Sequence, residues 1–343
     1  MSAPAPPPNP NLVFPPPLEF IYQRLGNTDY PVEVYLPTSP SAVKSPVIPA
    51  LIYFHGGGLV MGNRHINTWF PKWLAADALK AGMAVISPSY TFLSPHSGLD
   101  VLEDIKSCFS WISNSLNSEL LTSGTRLQVD TSRLAVSGSS AGGWCAYMAG
   151  SSALPKPRAI ISIYGMAGDL LSPMYLEPKT KPFFWLTPFM LNDEDFIPYL
   201  NTPSTTRLIS TSLDSPRLDY YTWLQQKALF IDVLTGIPGL NAKLLSLPSY
   251  SRPSAIPDSV KAMFPNLNIT SSFPPTFFIH GTDDEAVPIE ESRTMLEACF
   301  QANIEGCKML EVPGGNHDFD YEKESKDVEG LEEVLPWLIE KLK

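Results

Sequence analysis

The sequence predicts an α/β chain, a doubly wound and mostly parallel sheet with helices on both faces and one long insertion. Three observations predict it. Short apolar runs such as residues 47–54, the mark of strands buried on both faces, alternate with amphipathic helical stretches. The alternation stops after Gly165 and returns at Thr276. Glycine-rich turns stand directly after predicted strands, the edge at which open α/β sheets place their sites. At 343 residues, 44% hydrophobic and 17% charged, the chain can bury a large core.

The elements follow in order. Residues 1–17 are proline-rich and predict an extended or disordered start. Residues 18–37 alternate apolar and polar and suit one or two short antiparallel strands, followed by a Ser/Pro loop over 38–46. Beyond residues 1–17, the remainder of the N-terminal segment 1–46 is expected to join cap and sheet edge. A buried strand over 47–54 leads to a helix over 69–81, from Trp69, closed by Gly82. A strand over 83–86 and a helix over 100–113 come next. Residues 130–133 turn into the strand that carries Leu134, Ala135 and Val136, and a further strand spans 159–164.

Residues 166–265 then read as a cap or lid. Prolines are many there and aromatics cluster (Phe183-Phe184-Trp185, Phe189, Tyr220-Tyr221, Trp223), with a helix inside 214–234. Strand 276–280, helix 289–302, strand 308–312 and a closing helix 331–342, kinked at Pro336, complete a core of 47–165 and 266–343.

The net charge is −11, and residues 281–343 alone carry 17 acidic and 6 basic side chains, so the whole excess lies there. Such a surface repels phosphate backbones, and nucleic acid is not an expected partner. A solvated helix face accounts for it. No run of 18 apolar residues occurs, so no membrane insertion is expected. The start of the sequence lacks a basic and then apolar leader, which predicts a cytoplasmic protein with reduced thiols. Cys108, Cys145, Cys299 and Cys307 show no metal spacing and mostly read as small apolar residues on helices.

Chemistry concentrates at four loops. Gly138-Ser139-Ser140-Ala141-Gly142 is a G-x-S-x-G between a strand and a small-residue helix. A strand-to-helix turn this tight needs glycines two residues either side of the serine, and it lifts Ser140 above the sheet edge. A chance match in a glycine-rich turn is the bland alternative, so the rest of the chain has to decide. A serine hydroxyl needs a base, an orienting acid and oxyanion donors. His317, in Pro313-Gly314-Gly315-Asn316-His317, is the base candidate because it follows the last strand in the expected order. His65 and His96 lie in loops without a pattern, while His55 and His280 belong to strand ends and read as loop-holding groups. Asp284 is the acid candidate; Asp283 fits a turn former better, Glu285 competes, and Asp318 is too close in sequence to His317. His55-Gly56-Gly57-Gly58 supplies an oxyanion loop, and the N–H groups of Gly57, Gly58 and Ala141 are assigned to it. No phosphate-loop or dinucleotide fingerprint is present.

Together, H-G-G-G, G-x-S-A-G-G, H-G-x-x-D-x-x-V-P and P-G-G-x-H-x-F resemble the hormone-sensitive-lipase-like group of α/β-hydrolases. The blocks Asp130-Thr131-Ser132-Arg133-Leu134-Ala135-Val136 and Leu102-Glu103-Asp104-Ile105 are also similar to that group's, and fungal members tied to secondary metabolism are similar in flavour. The resemblance covers roughly residues 47–165 and 274–320. It implies an α/β-hydrolase fold, a cap built from the N-terminal segment and the insertion, and ester hydrolysis through an acyl-enzyme without cofactor or metal. Two departures stand out: Ser139 where many members have aspartate, and Tyr90-Thr91-Phe92-Leu93-Ser94-Pro95 in place of Tyr-Arg-Leu-Ala-Pro-Glu.

The expected function is a carboxylesterase acting on a small apolar or aromatic ester. The same triad would also serve amide or formamide hydrolysis, or acyl transfer and cyclisation in natural-product biosynthesis. A non-catalytic receptor, as in the distantly similar gibberellin receptors, lacks the triad histidine and is disfavoured by His317. The insertion's aromatics suit either an acyl or aryl pocket or the lid's own core. Substrate identity and oligomeric state are not written in these motifs.

Overall fold

Strand β1 (Leu18–Leu25) and β2 (Thr28–Tyr35) form a hairpin around Gly26. They are followed by β3 (Val47–Phe54), β4 (Ala84–Pro88), β5 (Gln128–Ser139), β6 (Ala159–Ile163), β7 (Thr276–Gly281) and β8 (Lys308–Val312). In the computed structural model, which describes residues 8–38, 45–66, 70–182, 187–203, 205 and 207–343, these strands form one sheet in the order β1-β2-β4-β3-β5-β6-β7-β8. Every pairing from β4 onward is parallel, and only the hairpin runs antiparallel, with β2 on β4. The expectations for residues 1–7 and 39–44, for Trp69 and for Phe183-Phe184-Trp185 lie outside the described residues.

Successive strand residues point to opposite faces, and the core divides accordingly. Ala50, Ile52 and Phe54 of β3 pack with helices α2 (Gly98–Asn114), α3 (Leu116–Thr122) and α4 (Ala141–Ser152). Leu51 and Tyr53 face the other way, toward α1 (Lys72–Lys80) and the C-terminal helix. Helix α2 starts on a capping box in which Ser97 and Asp100 satisfy each other's backbone N–H groups. Between β6 and β7 run α5 (Pro173–Leu176), α6 (Asp193–Leu200), α7 (Arg217–Gln226), α8 (Phe230–Thr235), α9 (Leu240–Leu245), α10 (Arg252–Ala255) and α11 (Asp258–Lys261). After β7 come α12 (Glu290–Gln301) and, at the end, α13 (Val334–Lys341). No described helix is long and apolar enough to cross a membrane.

Three sequence expectations are corrected. The closing helix is not kinked at Pro336: a 3-10 turn over Leu331–Glu333 precedes α13, and Pro336 sits in the first turn of α13, where its missing N–H is no loss. Helix α1 begins at Lys72, since Pro71 caps it and does not continue a helix backwards. Residues 130–133 do not precede the elbow strand but bulge out of it. Ile48 pairs with Val129 and Ala50 already with Leu134, while Asp130 Oδ1 accepts from Ser132 N at 3.0 Å to fold the extra residues into a turn.

Candidate active site

The elbow is a consequence of steric limits. Ser140, between β5 and α4, has φ 52° and ψ −121°, a conformation costly for any residue with a Cβ. The surrounding glycines let the chain close there. A Cβ on Gly138 would lie 1.9 Å from the Gly142 carbonyl oxygen, and one on Gly142 2.0 Å from that of Phe54. The turn is pinned by Ser140 N donating to Ile163 O (3.0 Å) and by Gly143 N and Met166 N donating to Ser140 O (both 2.9 Å). Ser140 is thereby presented at the carboxyl edge of the sheet, at the start of α4, whose first N–H groups have no partner within the helix.

Two further loops converge on it. Gly281 at the end of β7 is pressed on the loop after β8, where a Cβ would meet Gly315 O at 2.1 Å. Asn316 Oδ1 accepts from Glu285 N (3.0 Å) and from His317 N (2.7 Å), and so ties the two loops together. In that frame His317 Nδ1 lies 2.7 Å from Asp284 Oδ2, with both side chains buried. Asp284 Oδ1 accepts from Ala286 N (2.9 Å) and Val287 N (2.8 Å). Asp283 and Glu285 are exposed, and Asp283 accepts from Thr282 Oγ1 at 2.8 Å as a turn former does.

Burial works against the charge on Asp284, but the His317 charge and bonds from His280, His317 and Val287 N–H hold it well below the usual carboxylate range. Burial likewise lowers His317, yet Asp284, followed by Asp318 and Asp320, raises it above its ordinary value. Burial raises Asp318, and the charge of Asp284 adds to that. Burial also pushes Asp320 up to about 6, although Trp73 Nε1 (2.7 Å) and Tyr164 OH (2.8 Å) donate to it.

Ser140 and His317 line one cavity of about 510 Å³ counting its open mouth, together with Gly56, Gly57, Gly58, Ser139, Leu218, Tyr221, Ala286, Val287 and Asp318. Ala141 follows directly as the first residue of α4. Gly57 (φ 106°) and Gly58 (φ 62°) adopt the left-handed backbone that glycine favours, and the Tyr221 ring lies so close that a Cβ on Gly58 would meet it at 2.3 Å. Burial pushes His55 down to about 4, and its Nδ1, 2.7 Å from Gly56 O, serves the loop. His280 holds its own turn through Ser292 Oγ (2.7 Å) and Val287 O (2.8 Å).

The insertion's aromatics divide between the two expected uses. Phe196, Tyr199, Tyr220 and Trp223 stack on one another inside it, whereas Tyr221 turns to the cavity. Sequence reasoning missed Leu218 and Asp318 as lining residues, Asn316 as the tie between loops, and Tyr164, whose ring lies 4.5 Å from that of His317. Asn316 and Asp318 stood inside the P-G-G-x-H-x-F motif, at its two unspecified positions. The two departures are accommodated locally. Ser139 Oγ lies 2.6 Å from Tyr53 OH, and Thr91 receives a 3.4 Å contact from Arg207 of the insertion.

The chain matches the BD-FAE family over residues 32–162 and the prolyl oligopeptidase family over residues 248–343. It is 26% identical over 315 residues to a probable carboxylesterase from Phoma sp., covering 88% of this chain and 89% of that protein. It is also 26% identical over 311 residues to a non-reducing polyketide synthase from Acremonium egyptiacum; 88% of this chain is covered, but only 14% of the synthase. Among solved structures, an alpha/beta hydrolase superfamily protein from Enterococcus faecalis superposes with a TM-score of 0.61 at 18% identity, covering 94% of this chain and 98% of that one.

Proposed function

We propose that this chain, an α/β-hydrolase, cleaves carboxylic esters through an acyl-enzyme formed on Ser140. The observation that carries the reading is the 2.7 Å contact between His317 and Asp284 beside an elbow serine that lines the same cavity. Ser140 attacks the ester carbonyl while His317 takes its proton and later delivers it to the leaving alcohol. Asp284 keeps the proton of neutral His317 on Nδ1 and stabilises the imidazolium. The N–H groups of Gly57, Gly58 and Ala141 receive the oxyanion, and water repeats the cycle on the acyl-enzyme. Leu218, Tyr221, Ala286 and Val287 give the cavity an apolar wall suited to a small acyl or aryl group. Residues 166–265 act as the cap that supplies two of these side chains.

The test is turnover of a p-nitrophenyl ester panel by wild type and Ser140→Ala, with a fluorophosphonate adduct mapped by mass spectrometry. Turnover and labelling that both vanish in the variant support the mechanism; unchanged turnover sinks it. Unlabelled wild type would favour a non-catalytic receptor instead. One specific observation favours a second reading, acyl transfer in polyketide biosynthesis: the similarity to a region of polyketide synthases noted above. An aryl thioester offered with and without an alcohol acceptor separates the two, since a transferase forms the new ester in preference to the free acid.

A further inference from the structure

Arg217, the first residue of α7, has its side chain buried in the protein, 7% exposed, and among the described residues no carboxylate pairs with it. A desolvated guanidinium is costly unless its donors are satisfied. Here carbonyl oxygens do this: Nε donates to Val60 O at 2.5 Å, and Nη2 to Leu93 O at 2.5 Å and Ser94 O at 3.1 Å. Tyr199 and Tyr220, stacked on each other, lie together beside the cation, with ring centroids 5.4 and 5.5 Å from Cζ.

The target of this clamp is the oxyanion loop. Gly57, Gly58, Leu59 and Gly62 all have positive φ, and Leu59 at 61° bears a side chain that disfavours it. Such backbone persists only where its surroundings over-determine it. Inside the loop, Val60 N and Met61 N both donate to Gly57 O at 3.1 Å, and Leu93 N donates to Leu59 O at 2.8 Å. Arg217 spans the same two segments from the insertion side, and one turn further along α7 Tyr221 packs on Gly58.

We propose that Arg217 is a positioning residue for the oxyanion hole: it clamps the strained loop 57–62 to the loop at 93–94, so that the insertion sets where the Gly57 and Gly58 N–H groups point. The inference rests on the esterase reading, and it makes α7 part of the catalytic frame as well as a wall of the cavity. A lysine keeps the charge but not the planar fork that reaches three carbonyls at once.

The experiment compares wild type, Arg217→Lys and Arg217→Met on p-nitrophenyl butyrate, with kcat and KM separated, and measures inhibition by a trifluoromethyl ketone that mimics the tetrahedral oxyanion. Misplacement of the donors predicts a kcat loss on the order of 10²-fold in Arg217→Met with KM nearly unchanged, and a smaller loss in Arg217→Lys. Inhibitor affinity should fall in parallel with kcat. Thermal midpoints identify variants that fold; if Arg217→Met does not, Arg217→Lys carries the comparison. A folded variant with wild-type kcat overturns the proposal, as does a loss confined to KM. Wild type without Ser140-dependent turnover would instead defeat the underlying esterase reading.

Discussion

Asp284→Asn should abolish most of the activity, and the surrounding hydrogen bonds say why. The two carboxylate oxygens have different duties: Oδ1 accepts from Ala286 N and Val287 N at 2.9 and 2.8 Å, and Oδ2 faces His317 Nδ1 at 2.7 Å and His280 Nε2 at 3.3 Å. An amide has one acceptor. Turning its NH2 toward the backbone would leave two buried N–H groups facing donors, at a cost of about 1–3 kcal/mol each. The carbonyl therefore stays at the Oδ1 position and the NH2 turns to His317. Facing a donor, His317 must carry its proton on Nε2, the nitrogen that has to receive one from Ser140. The expected loss in kcat is on the order of 10⁴-fold, about 5 kcal/mol of transition-state stabilisation. The pH profile adds a second reading. His317 is raised above its ordinary value, so the acid limb of kcat/KM in wild type lies above pH 6.5. Asp284 is the largest of the causes that raise it, and the residual limb of the variant moves to lower pH. Stability responds on the same acid side, at lower pH. The depressed folded pKa of Asp284 stabilises the fold above about pH 3.9, and the contribution fades as pH falls below that toward the folded value. Steady-state turnover of a p-nitrophenyl ester from pH 5 to 9 measures the effect on catalysis. A variant within about tenfold of wild-type kcat would refute the tautomer argument.

Two further perturbations test other parts of the frame. Gly58→Ala combines a φ of 62° with a Cβ 2.3 Å from the Tyr221 ring, so the loop must move; kcat should fall by roughly 10²–10³ as the donor is displaced, with an unchanged circular dichroism spectrum. Burial pushes Glu291, whose Oε2 accepts from Asp169 N at 3.0 Å, up to about 8. A raised carboxyl contributes stability fully present below about pH 4.5 and lost as pH rises through 8, at about 1.4 kcal/mol per unit between the two. Glu291→Gln removes that titration, so its thermal midpoint should fall less than that of wild type between pH 5 and 8. Parallel curves would show that Glu291 does not titrate in this window.

The starts of β3 and β7 were legible because parallel central strands read as short apolar runs, and the elbow was legible because its geometry admits so few residues. Gly138 and Gly142 have less than 2.1 Å of space for a Cβ, which is a constraint visible as composition. His317 and Asp284 could be nominated by chain order, since each ends a strand at the same edge of the sheet. What local sequence does not encode is which side chains from remote segments arrive there. Arg217, Leu218 and Tyr221 belong to an insertion without periodicity, and their roles depend on a clamp to Val60 and Leu93 that spans more than a hundred residues of chain. Pro336 shows the same limit in small: proline breaks a helix in its interior and starts one in its first turn, and only the position of the preceding 3-10 turn decides between them. The sequence by itself determined the sheet, the tight turn and the order of the three candidate residues, because each follows from short-range sterics and burial. The tertiary structure alone decided the split of Asp284's two oxygens, the placement of the aromatics and the bonds from Arg217 to Val60 and Leu93, because each depends on distances between segments that no local pattern records.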